Sequence, residues 1–523
     1  MIVPLSPLEF ARRTRTLYPD REAVVDGDLR LTYAQFFDRC DRWSAALQAL
    51  GVKAGDRVAY IAPNTHAHLE SFYAVPQIGA TLVPINYRLT ADDFNYIINH
   101  SGASIVCACP DYFDAVDSIR GDLKGVRHFV ALEGKREAWL DYEDLVATST
   151  ASYAPAAIDE NDVISINYTS GTTARPKGVM MTHRNTHLNV VGTLLHMPMR
   201  MTDKYLWTLP MFHANGWTYV WIVTAAGGTH VCLPKVDPVK IFDLIASESV
   251  TWMCAAPTIL IGLANAPASA RANAPRGVNV VTAGAPPAAA TIERIEGDLG
   301  WTITQVYGMT ETAPFITICE PRPHHADLSL AERAVIKARQ GVELITSGQI
   351  RVVDDQMNDV PADGQTLGEI VVQGNVVMKG YYNDPDATEK AFRGGYMHTG
   401  DAAVMHPDRY VEVRDRIKDV IISGGENISS VEVEAMLLRH PAVQEAAVVG
   451  MPDTKWGESP HAFVVLKSGM TATADEIRAF TRERLAHFKC PHVVNFVTEL
   501  PKTATGKIQK FVLRGGRAAI STQ

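Results

Sequence analysis

The stretch Tyr168-Thr-Ser-Gly-Thr-Thr-Ala-Arg-Pro-Lys-Gly178 decides how this chain is read. It follows Val163-Ile-Ser-Ile-Asn167, a β-branched run that reads as a buried strand, so a hydroxyl-rich loop is delivered from the end of a rigid element. Such a loop suits phosphate. Gly171 lets the backbone approach closely, Thr169, Ser170, Thr172 and Thr173 offer hydroxyl donors, successive N–H groups can form an anion nest, and Lys177 adds a positive charge. A Walker loop places its lysine directly before Ser or Thr and opens a helix. Here Pro176 and Gly178 flank the lysine, and that match fails. A plain Ser/Thr/Gly linker has a similar composition, so the surrounding chain has to separate the two.

Upstream, strands alternate with helices. Leu31 to Gly51 reads as a helix capped by Thr32 with Gln35 reaching back, with Phe36, Cys40, Trp43, Leu47 and Leu50 on one stripe and Gly51 as the stop. Arg57 to Ala62 reads as a strand, Ala67 to Gly79 as a helix, and Ala80 to Ile85, Ser104 to Ala108 and Val126 to Leu132 as further strands. This order implies a mixed or parallel sheet covered on both faces, with functional loops at strand ends. Ala147 to Asp159, rich in Ala, Ser, Thr and Pro, reads as a surface linker.

Downstream, Thr182 to Met197 reads as a helix and Tyr205 to Leu209 as a strand running into Pro210-Met-Phe-His-Ala-Asn-Gly-Trp217. His213 therefore stands at a strand exit beside Trp217, a position compatible with either a site role or a structural one. Val280-Val-Thr-Ala-Gly-Ala-Pro286 and Thr302-Ile-Thr-Gln-Val-Tyr-Gly-Met-Thr-Glu311 repeat the design, the second ending in the hydroxyl of Thr310 and the carboxylate of Glu311. Converging strand ends are where α/β proteins hold nucleotides. From Gly348 the texture changes to short alternating runs at 348–353, 368–373, 396–399 and 410–413, which read as a compact β unit. Asp415-Arg-Ile-Lys-Asp419 is a charged break that reads as either a domain joint or a solvated hairpin turn. Helices over 431–438 and 474–485 with strands over 443–449 and 462–466 follow, enough for a small α+β domain.

At 523 residues the chain exceeds one core, and with 46% hydrophobic residues, 20% charged residues and net charge −9 it reads as a soluble globular protein. The acidic balance disfavours nucleic acid as a partner. Seven cysteines lack metal-finger spacing, and Cys107-Ala-Cys109 lies in an apolar run, which favours buried thiols and a reducing cytoplasm. No apolar run reaches membrane-spanning length, and neither end reads as a secretion, peroxisomal or lipidation signal.

The phosphate loop, Tyr307-Gly-Met-Thr-Glu311, Tyr396-Met-His-Thr-Gly-Asp401, Asp415-Arg-Ile-Lys-Asp419, Ser423-Gly-Gly-Glu-Asn427 and Pro501-Lys-Thr-Ala-Thr-Gly-Lys507 together resemble the adenylate-forming superfamily of acyl-CoA synthetases, nonribosomal adenylation domains and luciferase. The resemblance covers essentially the whole chain and is nearest to acyl-CoA synthetases for short, medium-chain or aryl acids, which share the segment at 212–217. Ala174 departs from the usual Gly, so a mirror-image backbone is not required there. The resemblance implies an α/β fold with a large multi-part N-terminal domain, 1–415, of layered αβ sheets plus a small β unit, and a small mobile α+β C-terminal domain, 416–523.

The implied reaction joins a carboxylate to the α-phosphate of ATP, releases pyrophosphate, and then passes the acyl group to the thiol of CoA. Two anions meet in the first step, so charge neutralisation dominates. The resemblance assigns Mg2+ to Thr169 and Glu311, and the pyrophosphate end to Ser170, Gly171, Thr172, Thr173 and Lys177. It assigns the ribose diol to Asp401, the ribose or phosphate to Arg416, and the surroundings of adenine to Gly284, Ala285 and Tyr307. Lys507 would bridge carboxylate and α-phosphate, with Thr310, Glu311 and His213 as its companions in catalysis. Lys418 matches a hinge, and Gly424 and Gly425 would line the thiol's path after rotation. His213 resembles a gate between acyl pocket and thiol tunnel, and Trp217, Tyr219 and Met309 are expected to line the acyl pocket with Ala283, Val306 and Phe315.

No Arg or Lys stands ready there for a second carboxylate, so a monocarboxylic acid is expected. An amine or a freestanding carrier protein is the alternative acceptor. An amino-acid adenylation domain is disfavoured because His213 stands where such domains usually place Asp, and Gln523 leaves no room for a fused carrier. A homodimer is left open.

Overall fold

The computed structural model describes residues 2–169, 175–272, 274–424, 426–502 and 508–515. Ser170, Gly171, Thr172, Thr173, Ala174, Gly425 and Lys507 lie outside the described residues. Four sheets organise the chain. An eight-stranded sheet runs in the order Gly380–Tyr381, Lys177–Thr182, Val163–Thr169, Thr81–Ile85, Arg57–Ile61, Ala103–Ala108, His128–Ala131, Leu140–Asp141. A nine-stranded sheet runs Val342–Glu343, Phe315–Ile318, Thr302–Gly308, Asn279–Thr282, Trp252–Cys254, Lys204–Leu206, Thr229–Val231, Glu22–Asp26, Leu29–Thr32.

The strands at the centre of both sheets are parallel and buried on both faces, as βαβ connection requires. Period-two alternation shows it within one strand. Val58 and Tyr60 join the core shared with Phe36, Trp43, Phe72, Trp207 and Trp221, while Ala59 and Ile61 join Val83, Phe94 and Ile97 on the other face. The helices Tyr33–Ala49, His66–Ala74 and Tyr219–Ala226 therefore supply side chains to a core that both sheets also enter. The first of them starts as read: Thr32 Oγ1 accepts from Gln35 N–H at 3.3 Å, and Gln35 Oε1 accepts from Thr32 N–H at 2.9 Å.

The compact β unit forms as expected, with Gln349–Val353, Gly368–Gln373, Met397–Met405 and Val411–Arg416 in one antiparallel sheet. Beyond it, Glu426–Ile428, Ile421–Ser423, Gly457–Leu466, Val443–Asp453 and Val493–Phe496 make the last sheet, covered by Ser430–Leu437 and Ala474–Arg482. All seven cysteines are buried and free, Cys107 within its strand.

Several boundaries differ from the sequence reading. The helix expected to reach Gly79 stops at Ala74. Pro76 then opens a single tight turn, and Gly79, at φ +74°, ends it. The strand expected to reach Leu209 ends at Leu206, because the carbonyls of Trp207 and Leu209 accept instead from the Asn64 carboxamide at 2.8 and 3.0 Å. The phosphate loop is shorter than the quoted stretch. Lys177–Thr182 is a strand antiparallel to Val163–Thr169, with Thr169 opposite Lys177 and Tyr168 opposite Gly178, so both ends of the quoted stretch lie in paired strands. The break at 415–419 is anchored at both ends by the buried Asp415 and Asp419, while Ile417 and Lys418 between them are exposed.

Candidate active site

The residues expected at the ribose are brought together by two strands. In the small sheet Asp401 stands opposite Arg416, and its Oδ1 lies 2.8 Å from Arg416 Nε. Its Oδ2 accepts from the Tyr307 hydroxyl at 2.6 Å, Tyr307 being delivered by the strand Thr302–Gly308 of the large sheet. A carboxylate offers about four lone-pair sites. Two are used here, which leaves two for a diol. The Asp401 charge raises the Arg416 pKa, and burial pushes the Tyr307 hydroxyl far above its ordinary range. The register Thr282 opposite Gln305 carries Gly284 level with Tyr307. Gly284 is at φ +89° with nothing within 4 Å of where a Cβ would stand, and Ala285 follows, half-buried, so a flat base has room beside this turn.

Lys177 and Glu311, expected at the phosphates, both meet Tyr381, a residue to which the sequence reading gave no role. Lys177 Nζ lies 4.8 Å from the centre of the Tyr381 ring and 3.9 Å from Asp384 Oδ2. The Tyr381 hydroxyl donates to Glu311 Oε1 at 2.9 Å. Tyr381 is placed by a two-residue strand that pairs it with Val179, directly after Lys177 and Gly178. Glu311 is itself fixed through its carbonyl, which accepts from Met378 N–H at 2.8 Å. Thr310, beside it, is buried in the same tight turn. Burial raises the Glu311 pKa, and the Tyr381 hydrogen bond opposes that shift. Among the described residues no cation lies within ion-pair distance of Glu311.

A buried carboxylate of this kind and the hydroxyl of Thr169 are hard oxygen ligands, the donor set Mg2+ takes. No group of three or more His, Cys, Asp or Glu among the described residues could hold a metal by itself. That too suits Mg2+, which usually takes one or two protein ligands and its remaining oxygens from phosphates and water.

The segment expected to face the acid follows Phe212. Ala214, Asn215, Gly216, Trp217 and Thr218 all have positive φ, an unbroken left-handed turn that costs roughly 1–2 kcal/mol for each non-glycine residue. Gly216 is required for space as well, since a Cβ there would stand 2.5 Å from the Trp207 ring. His213 leads into the turn, half-buried, and Trp217 packs edge-on to Phe315 at 5.8 Å between centroids. Tyr219 is fully buried and stacked on Tyr205 at 4.7 Å, in the core cluster that also holds Trp217 and Phe315. Met309 packs against the cluster of Ile316, Val372 and Met397.

In the small C-terminal sheet region, Gly424 at φ +60° donates its N–H to Trp456 O at 2.8 Å, and a Cβ there would meet the Trp456 ring at 2.9 Å. Lys418 is exposed, and partial burial lowers its pKa. Its neighbours are anchored. Asp415 accepts from Ser430 N–H at 2.8 Å and from the Ser430 hydroxyl, and Asp419 pairs with Arg514 at 2.7 Å. Lys510, 2.9 Å from Glu434, also bonds the Ser430 hydroxyl. The sequence reading assigned nothing to Lys510 or Arg514, whose partners are some eighty residues or more away in the chain.

Comparison with known proteins places these features in context. The sequence model described as AMP-binding enzyme matches residues 11–382, and that of the AMP-binding enzyme C-terminal domain matches 432–507. The chain is 42% identical to 4-hydroxybutyrate–CoA ligase 2 of Metallosphaera sedula over 98% of its own length and 94% of that protein. It is likewise 42% identical to acetate/butyrate–CoA ligase AAE7, peroxisomal, of Arabidopsis thaliana, with the same coverage of 98% and 94%. Among solved structures it resembles the anthranilate CoA ligase AuaEII in complex with anthranoyl-AMP, with a TM-score of 0.88, 26% identity and 98% of each chain covered.

Proposed function

Because the chain belongs to the AMP-binding enzyme family, we infer its chemistry from that membership and from the site just described. It is an ATP-dependent acid–CoA ligase, forming acyl-AMP and pyrophosphate from a carboxylic acid and ATP and then acyl-CoA and AMP. Its substrates are a monocarboxylic acid, ATP and CoA. The acid is of the short-chain class named for the relatives.

The observation that carries this reading is a pair of buried carboxylates, Asp401 and Glu311, near enough for each charge to act on the other. Asp401 receives the ribose diol, steadied by Arg416 and Tyr307, and Gly284 and Ala285 leave the adenine face open. Thr169 and Glu311 would hold Mg2+, which when bound neutralises phosphate charge. Lys177 and the loop hydroxyls take the pyrophosphate end. The acid needs no general base because it is already ionised near neutral pH. Its attack on the α-phosphate is favoured by positioning and by cations. We assign the cation that bridges acid and α-phosphate to Lys507, and the hinge to Lys418 between domains 1–415 and 416–523. Rotation about that hinge would exchange Lys507 for the backbone at Gly424 and Gly425.

The experiment is to measure the two half-reactions separately. Lys507→Ala should slow acyl-AMP formation by about 10²–10³, while supplied acyl-AMP and CoA still give thioester at nearly the normal rate. Equal loss in both steps would overturn the alternation, and amines outcompeting CoA for acyl-AMP would overturn the choice of acceptor. We place the protein in the cytoplasm, on the support of seven buried free thiols, which suit a reducing compartment. Among the described residues no helix is long and apolar enough to cross a membrane.

A further inference from the structure

The left-handed turn after His213 is held by a closed ring of side-chain hydrogen bonds. Residues 214–218 have φ of 40, 47, 55, 51 and 63°, and only one of the five is glycine. L-residues enter this region singly rather than in runs, so the surroundings must fix the turn. Ser165 Oγ donates to Asn167 Oδ1 at 3.0 Å, and Asn167 Nδ2 donates to Asn215 Oδ1 at 3.1 Å. Asn215 Nδ2 donates back to Ser165 Oγ at 2.6 Å, which closes the ring. Asn167 Nδ2 also donates to the carbonyl of Phe212 at 3.0 Å, the residue just before His213. Ser165, Asn167 and Asn215 are 1%, 2% and 0% exposed. In such a dry setting each bond strengthens its neighbours, and removing one member leaves the others unpaired.

The ring belongs to the phosphate strand as much as to the turn. Ser165, Asn167 and Thr169 occupy alternate positions of Val163–Thr169 and so share a face. Two of them grip the turn that carries His213 and Trp217, and the third stands opposite Lys177. One rigid strand thus touches both halves of the first reaction. We propose that Ser165, Asn167 and Asn215 are positioning residues that set the acid-binding turn, and with it the carboxylate, in register with the α-phosphate. The inference rests on the reading of 212–217 as the acid side of the site, and it adds the polar ring as what aligns that side with the nucleotide.

The test is a double-mutant cycle read in Michaelis constants. Asn215→Gly keeps a backbone that tolerates positive φ while deleting both ring bonds of that residue. Asn167→Ala deletes the bonds to Asn215 and to Phe212. Each should raise KM for the acid about tenfold, leave KM for ATP within about twofold, and together do no more than either alone, because a broken ring cannot be broken twice. If either asparagine variant fails to fold, Ser165→Ala, which removes one hydroxyl, should raise the acid KM about threefold in the same selective way.

Unchanged acid KM in all three variants would overturn the proposal. So would acid and ATP constants rising together with a fall in melting temperature, which marks a purely structural ring, or effects that multiply in the double variant. Failure of the acid–CoA ligase reading itself would look different, since wild-type protein would then make no acyl-AMP at all.

Discussion

Asp401 and Glu311 are both buried carboxylates, 4% and 6% exposed, yet their partners are opposite in kind. Asp401 has a guanidinium at 2.8 Å and a phenol at 2.6 Å, so its charge is compensated before any nucleotide arrives. Glu311 has only the Tyr381 hydroxyl at 2.9 Å among its described side-chain partners, and burial raises its pKa. A buried charge without a counterion is costly, whereas a paired one is costly to disrupt. On the proposed assignment, the ribose end at Asp401 is therefore preorganised, and the phosphate end at Glu311 is set to receive a positive charge. That difference orders the expected effects of substitution.

The largest belongs to Glu311→Gln, which keeps the shape and removes the charge. Turnover should fall about 10²–10³ at saturating ATP and Mg2+, because the contact matters most as charge builds on the phosphates. Rates within a few-fold of wild type would show that Glu311 does not serve the metal. Asp401→Asn should act on binding instead. Calorimetry should show ATP affinity weakened by about 1–3 kcal/mol, with turnover at saturation much less affected. An unchanged dissociation constant would reduce Asp401 to a strand residue.

Stability without ligand should then move in opposite directions. A group whose pKa is raised on folding favours the fold below its ordinary pKa and loses that contribution as pH rises through the raised value. Glu311→Gln should thus raise the melting temperature of the ligand-free protein at pH 8 and lose this advantage as the pH is lowered. Asp401→Asn should lower it, since Arg416 is left buried beside a neutral amide. Shifts of the same sign would erase the contrast. The smallest effect is that of Tyr381→Phe. Its hydroxyl lowers the Glu311 pKa, so its removal should move the acidic limb of the kcat/KM profile to higher pH. A limb that stays in place would mean that another group controls it.

Much of this contrast was legible in the sequence. Asp401, Arg416, Tyr307 and Glu311 lie within short motifs, the last three at or just past strand ends and Asp401 within Met397–Met405, so local sequence marks them. The capping of 33–49 and the small β unit were legible for the same local reason. Tyr381 was not, because its role depends on pairing with Val179 about two hundred residues away. The strand Lys177–Thr182 was missed because the loop chemistry before it dominates the stretch. The left-handed turn at 214–218 carries an Asn215-Gly216 turn signal, but that dipeptide does not foretell a run of five left-handed residues, because the side chains that stabilise it sit on a distant strand. Ser170, Gly171, Thr172, Thr173, Gly425 and Lys507 still stand on motif resemblance.

The most direct test of the central claim follows an oxygen atom. The acid, labelled with oxygen-18 in its carboxylate, is incubated with the enzyme, ATP, Mg2+ and CoA, and the nucleotide and phosphate products are weighed by mass spectrometry. Attack of the carboxylate on the α-phosphate, followed by thiol attack on the acyl carbon, leaves one labelled oxygen in AMP and none in pyrophosphate. Formation of ADP and labelled inorganic phosphate would contradict the account, because it would place the attack at the γ-phosphate.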